Sequence, residues 1–267
     1  MMDVMLEKQN IIRISVFLIV LLVMALWEVK SPKKALTQPK WYRWLNNMGM
    51  VVFNGVLLPI VLPFLAISVA FIAQEKQLGL FNILTINAVL TGVLSVILLD
   101  LIIYWQHRIF HQVPLLWRLH RVHHADQDID VTTGSRFHFI EIWLSMLIKM
   151  LAIILFGISP IAVLVFEVLL NASAMFNHSN VQIRPRIDKY LRKIIVTPDM
   201  HRVHHSIHVN ETNSNYGFCL SIWDKWFVSY TAQPKDGHSD MLIGLKSFRH
   251  PKEQSLLAML MQPFRRT

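Results

Sequence analysis

Long apolar runs, broken by short polar segments, occur between residues 11 and 176. No charged residue lies between Arg43 and Glu75, and 23 uncharged residues lie between Lys76 and Asp100. A helix needs about 20 apolar residues to cross a bilayer, so both runs predict membrane spans. We interpret the shorter run at 11–27 as a third span, and because no small-residue cleavage site follows it, we do not expect a signal peptide there.

A fourth apolar zone extends from Ile142 to Phe176 and is interrupted by Gly-Ile-Ser-Pro at 157–160. Glycine and proline at this point favour a break, so the zone predicts two helices folded into a hairpin. The expected fold class is therefore all-α: an integral membrane protein with three to five membrane-embedded helices. Composition agrees, because 54% of the residues are hydrophobic and the mean hydropathy is +0.42.

Positive charge is distributed unevenly around these spans. Segment 28–49 contains five Lys or Arg residues and the chain from 184 onward contains thirteen, whereas the 74–84 connection contains only Lys76. The positive-inside rule then predicts that the 28–49 loop and the C-terminal part face the cytosol. Membrane orientation and anionic headgroups account for the net charge of +9. We expect no nucleic acid partner, since no basic-aromatic reader motif accompanies the charge.

The thirteen histidines are confined to one part of the sequence, and none precedes His107. His107 and His111 are four residues apart at the predicted end of the third span, so they share a helix face. The sequence His-Arg-Val-His-His occurs at 120–124 and again at 201–205, placing three imidazoles at i, i+3 and i+4 each time. An isolated His178 follows the predicted hairpin.

A proline precedes each copy of this five-residue sequence. Val113 precedes Pro114 and is therefore disfavoured in the α region, which predicts that one helix ends there and a new one begins. Thr197 and Pro198 suit the cap and the first turn of the second helix. Both copies are thus expected on short helices.

Clustered imidazoles repel one another when protonated and lack partners when buried and neutral, but a metal ion satisfies them. The clusters contain too many histidines for one metal ion but about as many as two ions would bind. Histidine binds zinc, iron or copper, so spacing leaves the metal open. A single cysteine, Cys219, excludes a disulfide framework and a cysteine-ligated site. We therefore expect a helical cytosolic cap that carries a histidine-rich dimetal site.

The order H-x-x-x-H, H-x-x-H-H, an isolated His and H-x-x-H-H resembles the fatty acid hydroxylase / sterol desaturase superfamily of integral-membrane di-iron oxygenases. The resemblance covers about residues 95–230. It includes Asn-Tyr-Gly at 215–217 and Trp-Asp-Lys-Trp-Phe at 223–227. Ala174, where fatty acid 2-hydroxylases have a further His, and the three-residue gap between His107 and His111 favour the sterol desaturase-like branch. Phe139 and Val228 depart from the family pattern, which often has Pro and Gly there.

The resemblance implies a set of metal ligands and of residues that support them. The implied ligands are His107, His111, His120, His123, His124, His178, His201, His204 and His205, with His138 and His208 as further candidates. Asp100, Glu141 and Asn215 are candidates for hydrogen bonds around the site, because a ligating imidazole usually donates its second N–H to a carboxylate or carbonyl.

The resemblance implies two iron ions, O₂ as co-substrate and a membrane lipid, such as a sterol or fatty acyl chain, that is hydroxylated or desaturated. No flavin, nicotinamide or haem motif is apparent, so electrons are expected from a separate donor protein on the cytosolic face. The expected division is a membrane scaffold (1–94), a hydroxylase-like domain (95–230) that contains the hairpin 142–176, and a basic cytosolic tail (231–267). The localisation implied is the cell inner membrane or endoplasmic reticulum. The alternatives are a zinc-dependent membrane hydrolase or a catalytically inert metal-binding relative.

Overall fold

The computed structural model describes residues 2–62, 64–84 and 86–266. Within these ranges the chain is nearly all helical, and its extended pairing is limited to three isolated β-bridges. The predicted all-α fold is confirmed. The α-helices described are α1 (Met2–Lys30), α2 (Lys40–Val61), α3 (Ala66–Glu75), α4 (Leu80–Ile83), α5 (Ala88–Gln112), α6 (Pro114–His124), α7 (Phe139–Phe156), α8 (Pro160–His178), α9 (Pro185–Leu191), α10 (Pro198–His204), α11 (Val209–Thr212), α12 (Ile222–Trp226), α13 (Gly237–Asp240) and α14 (Leu256–Met261).

Five segments of the described chain are long and apolar enough to cross a membrane, at the upper end of the predicted three to five. They identify an integral membrane protein. The second segment contains α2, α3 and α4, and the others correspond to α1, α5, α7 and α8. The five segments are Glu7–Lys30, Lys40–Ile83, Ala88–Gln112, Phe139–Phe156 and Pro160–His178.

The predicted hairpin is formed by α7 and α8, and both helices have clear end signals. Gly157 ends α7 in the left-handed conformation at φ 68°, which glycine adopts without a Cβ clash. The Ser159 side chain then accepts a hydrogen bond from the Ala162 N–H, and Pro160 occupies the first turn of α8. The Gly79 backbone packs directly on Gly157, so the loop before α4 closes the end of the hairpin away from the histidines.

Apolar residues of α3, α5, α7 and α8 form the largest core cluster, which includes the buried side chains of Leu99, Ile153 and Phe166. Helix α1 packs on α8 and leaves an apolar face uncovered, where Leu18 and Leu22 are exposed. An exposed apolar face of this length suits contact with lipid acyl chains. The membrane helices thus enclose one core and present hydrocarbon to their surroundings.

Helix α2 turns a polar face toward the segment that follows α6. The Arg43 guanidinium is fully buried and pairs with the carboxylates of Asp126 and Asp130, while Asn47 donates to the Thr132 hydroxyl. Burial alone raises the pKa of Asp126, but Arg43 and Arg136 outweigh it and hold that pKa below its ordinary value. These ion pairs and hydrogen bonds hold α2 against the segment that directly follows His124.

The segment predicted as a C-terminal tail is packed against the cap. Met259 is fully buried with Met50 and Val122, and the Gln254 side chain accepts a hydrogen bond from Arg136. Residues near the C-terminus therefore cover one side of α6 and support the histidines that it carries.

Candidate dimetal site

Two short helices carry the repeated histidine sequence, as predicted. Helix α6 begins at Pro114 directly after α5 ends, with Val113 in an extended conformation between them. Helix α10 begins at Pro198, and the Thr197 side chain accepts a hydrogen bond from the Met200 N–H. Proline and the capping threonine therefore set the direction in which each stripe of imidazoles faces.

The structure brings together the nine histidines that the sequence pattern singled out, and all nine are buried. They form two groups, and within each group one nitrogen of every ring lies within 4.8 Å of those of the other rings. The first group comes from α5, α6 and α10, and the second from α6, α8 and the end of α10. The first group is His107, His111, His120, His124 and His204; the second is His123, His178, His201 and His205.

Four rings of the first group use Nδ1 for a hydrogen bond outside the group. The Nδ1 of His107 lies 2.7 Å from the Tyr216 carbonyl oxygen, and that of His204 lies 2.6 Å from the Ser214 carbonyl oxygen. The Nδ1 of His120 lies 2.7 Å from the Glu141 carboxylate. An Nδ1–H that donates to an oxygen leaves Nε2 as a lone-pair donor, which is the usual arrangement of a metal-bound histidine. The fourth is His111, whose Nδ1 lies 3.2 Å from the Asn213 side-chain oxygen.

The Nε2 atoms of the first group test whether a metal fits. All five are buried, and none has a hydrogen-bond partner among the described residues. A buried nitrogen without a partner costs about 1–3 kcal/mol, so five at one point would be strongly unfavourable without a ligand. A divalent cation removes this cost, because imidazole is a preferred ligand of zinc, iron and copper.

The second group is equally crowded. The Nε2 of His178 lies 3.0 Å from the Nε2 of His123 and 2.9 Å from that of His201. Because the Nδ1 of His178 is 2.6 Å from the Ala174 carbonyl oxygen, His178 Nε2 carries a lone pair in the neutral ring. Both nitrogens of His205 are buried without a partner. Three converging nitrogens and a free ring also fit a metal ion.

The two groups adjoin, because α6 and α10 each contribute to both. The rings of His124 and His205 stack with centroids 4.6 Å apart, one from each group. Burial, reinforced by neighbouring imidazoles, lowers the pKa values of the five grouped rings that lie outside the spans and have resolved shifts. These rings are therefore neutral and able to bind metal at neutral pH; they are His123, His124, His201, His204 and His205.

Among the three supporting residues predicted from the sequence, Glu141 is the one that hydrogen-bonds a grouped imidazole. The Asp100 carboxylate instead accepts hydrogen bonds from the Cys219 and Leu220 N–H groups and the Trp223 indole, which holds the chain after α11 against α5. Asn215 has φ 51° and its side chain bonds the backbone of α10 and of the chain near 231. Neither of these two side chains hydrogen-bonds a grouped imidazole in the described structure.

The two further candidate ligands lie outside both groups. His138 caps α7, where its Nδ1 accepts the Ile140 N–H, and its Nε2 lies 3.2 Å from the Leu260 carbonyl oxygen. His208 is partly exposed and pairs with Asp236. Their nitrogens are thus engaged elsewhere.

Sequence reasoning missed the partners that orient the rings, which are mainly backbone carbonyls. Asp224 supports one of them, because its carboxylate accepts hydrogen bonds from the N–H groups of Tyr216 and Gly217 and from the Ser229 hydroxyl. Burial raises the pKa of Asp224 to about 6. The Asn-Tyr-Gly and Trp-Asp-Lys-Trp-Phe sequences marked this region, but their contacts with His107 and with each other depend on tertiary structure.

A cavity of about 470 Å³ lies among α1, α2, α5, α7 and α8 and reaches the first histidine group. His107, His120 and Glu141 line it, and Phe110, Phe137 and Phe218 also contribute to its wall. It therefore connects the histidines with the interior of the membrane helices.

The five apolar helices and the two adjoining groups of buried histidines place this chain among helical membrane proteins with a histidine-rich site that could hold metal. A family model described as fatty acid hydroxylase matches residues 92–229, which is more than half of the chain. The chain belongs to the fatty acid hydroxylase family.

Curated relatives agree with this assignment. The chain is 32% identical over 175 residues to ornithine lipid hydroxylase OlsE of Rhizobium tropici, covering 65% of this chain and 50% of that protein. It is 30% identical over 139 residues to alkylglycerol monooxygenase of Homo sapiens, covering 49% of this chain and 28% of that protein. The chain thus spans half or less of the length of these relatives. No solved structure matches significantly.

Proposed function

We propose that this protein is a di-iron, O₂-dependent hydroxylase that oxidises a C–H bond of a membrane lipid. The observation that carries the proposal is the convergence of nine buried histidines beside a cavity among membrane helices, with five Nε2 atoms that lack partners. The names of the relatives, a lipid hydroxylase and a monooxygenase, support the same chemistry. A zinc hydrolase needs few protein ligands and an open water position, which fits nine histidines poorly.

Each histidine group would hold one iron ion. His107, His111, His120, His124 and His204 would hold the first, and His123, His178, His201 and His205 the second. When bound, the ions would supply the reductive activation of O₂: one oxygen atom enters the C–H bond to give an alcohol, and the other becomes water with two electrons and two protons from outside. The proposed ligand set leaves out His138 and His208, because their rings lie outside both groups.

The protein's own residues orient the rings and keep water away from the reacting carbon. Glu141 and the carbonyls of Tyr216 and Ser214 fix which ring nitrogen faces the metal position. The Phe137 ring stacks on His123 at 4.4 Å between centroids and also lines the cavity. A lipid in this cavity therefore meets an apolar wall next to the histidines, which excludes water.

We further propose that a separate electron-donor protein docks at a second cavity beside the histidines. Trp117 lies 4.9 Å from His111 and 5.3 Å from His124 between ring centroids, and it lines this second cavity with the exposed Lys246. An exposed lysine suits an acidic donor, whose association would weaken with ionic strength. Turnover with the physiological donor that does not change with salt would contradict this docking proposal.

The same proposal assigns the catalytic role to residues 95–230, with 1–94 as membrane scaffold and 231–267 as a cytosolic C-terminal segment. The site would face the cytosol, since the 28–49 loop and the chain from 184 onward carry most of the positive charge. The membrane would be the cell inner membrane or the endoplasmic reticulum.

The decisive test is metal content by mass spectrometry of the detergent-purified chain, with O₂ uptake followed during lipid addition. We expect about two irons per chain in the wild type and loss of iron in His120→Ala and His204→Ala. His208→Ala is the matched control and should keep its iron. Stoichiometric zinc without O₂ uptake after iron-replete expression would overturn the proposal, and an alkene product would change the reaction from hydroxylation to desaturation.

A further inference from the structure

Besides Glu141, the cavity beside the histidines contains three charged side chains, contributed by three membrane helices. Arg13 of α1, Lys149 of α7 and Glu167 of α8 all line it, and we call them the charged triad. The Lys149 ammonium lies 2.6 Å from one Glu167 oxygen, and the Arg13 guanidinium contacts the other. Charged side chains inside membrane helices are costly and usually mark a functional site.

The charge of the triad is unbalanced. Two cations share one carboxylate, and the Arg13 Nε is buried without a hydrogen-bond partner. A triad that only tied the three helices together would be expected to cancel its charge, because an excess charge among membrane helices is unfavourable. One positive charge is therefore available to an anion at the triad. The fourth charged residue of the wall, Glu141, lies eight residues from Lys149 along α7 and bonds His120.

The remaining wall of the cavity is also more polar than a hydrocarbon chain requires. The side-chain oxygens of Asn54 and Gln106 line it and are buried without partners, as is the second carboxylate oxygen of Glu141. Ser145 and Asn171 add further polar groups. Buried polar atoms are normally paired, so these atoms indicate an occupant that carries polar groups of its own.

We infer that the cavity binds an anionic lipid headgroup, with the charged triad as its anion site, and that the carbon beside the histidines lies near that headgroup and not far along the alkyl tail. The inference rests on the proposed lipid hydroxylase function and specifies its substrate class. The anion is a carboxylate or a phosphate, and the alkyl tail extends from the cavity toward the bilayer.

Helix α7 gives the distance between the charged triad and the histidines. Glu141, Ser145 and Lys149 follow one another at intervals of four residues and line the same cavity. Of these, Glu141 hydrogen-bonds His120. Eight residues of α-helix correspond to about 12 Å along the axis. An extended chain advances roughly 1.2 Å per bond, so the oxidised carbon is expected within about ten bonds of the anionic group.

Equilibrium binding tests the inference without turnover. The full-length, detergent-purified protein, without reductant, is titrated with N-palmitoylglycine (a carboxylate), hexadecyl phosphate, neutral N-palmitoylethanolamine and cationic hexadecyltrimethylammonium. We expect at least one anionic lipid to bind about tenfold or more tightly than the neutral and cationic lipids, because hydrogen bonds to an ionised group are stronger than those to a neutral one. The tighter of the two anions identifies carboxylate or phosphate.

Charge-changing variants separate an anion site from a structural tie. Lys149→Met makes the triad neutral and should weaken anion binding about tenfold, whereas Glu167→Gln should strengthen it. The double variant Lys149→Met/Glu167→Gln restores the original net charge of +1 and should bind the anion nearly as the wild type does. Lys8→Met, an exposed change on α1 outside the cavity, is the matched control.

Affinity for the neutral lipid should stay constant through this series, which distinguishes a loss of charge from a loss of fold. Anion affinity that ignores the charge of the triad, or neutral lipid that binds as tightly as the anions, overturns the inference. His204→Ala separates it from the proposed function, because this variant should lose metal and still bind the anion. Charge-ranked binding without iron or O₂ uptake in the wild type would refute the hydroxylase and leave the anion site in place.

Discussion

Replacing Glu141 tests whether the arrangement around the histidines holds a metal. The Glu141 carboxylate is buried and lies 2.7 Å from the Nδ1 of His120, whose Nε2 faces the other four rings of its group. Removing a carboxylate that hydrogen-bonds a ligating histidine typically lowers metal affinity about 10–100-fold. Glu141→Gln keeps an oxygen that accepts the N–H but loses the charge, so we expect metal affinity to fall about tenfold. Glu141→Ala loses the acceptor as well, and we expect metal affinity to fall about a hundredfold.

The assay is a chelator competition on purified protein, with the retained metal measured by mass spectrometry at each chelator concentration. Glu253→Gln is the matched control, because Glu253 pairs with Arg265, lies 48 residues after the last grouped histidine, His205, and hydrogen-bonds no imidazole in the described structure. Near-native thermal unfolding of the metal-free variants would show that the fold is intact. Unchanged metal affinity in Glu141→Ala would refute the assignment of His120 as a ligand held by Glu141.

Three further perturbations have defined outcomes. Burial raises the pKa of Asp224 to about 6, so its contribution to stability is present below about pH 4 and lost as pH rises through 6. Between pH 4 and pH 6 the wild type should therefore lose about 2 kcal/mol more than Asp224→Asn does, out of about 3 kcal/mol over the whole titration. Parallel unfolding curves would contradict this. Gly79→Ala would place Cβ 2.1 Å from the Gly157 nitrogen at φ 87°; we expect a loss of about 2 kcal/mol in thermal unfolding, against little change for Gly92→Ala, which meets open space. Trp117→Leu should slow turnover with a protein donor while turnover with dithionite stays near the wild-type rate, and equal slowing with both reductants would reject donor entry at Trp117.

The histidines could be assigned to common stripes from the sequence, because the helical period fixes which of them share a face. His120 and His123, for example, follow from a proline-started helix and their spacing alone. The division into two groups could not be predicted: neighbouring residues such as His123 and His124 face different groups, and the division depends on how α6 crosses α10. Backbone acceptors such as the Tyr216 carbonyl were invisible for the same reason.

The charged triad shows the opposite case, in which single residues were visible but their relation was not. Lys149 and Glu167 interrupt apolar helices, which is a signal in itself. Their pairing required the hairpin at Gly157, and their third member lies 154 residues from Glu167 in the sequence. Sequence patterns report local periodicity, whereas a cavity lined by several helices is a property of their packing.

The histidines of each group come from helices that are far apart in the chain, from His107 on α5 to His205 after α10. During synthesis a nascent chain therefore lacks either complete group until both halves of the α7–α8 hairpin have entered the membrane and α10 has left the ribosome. Under the proposed function, metal loading would therefore follow insertion of the hairpin, and cells grown without the metal would accumulate inserted but unloaded chains. Bound metal would then mark the chains whose membrane insertion was complete.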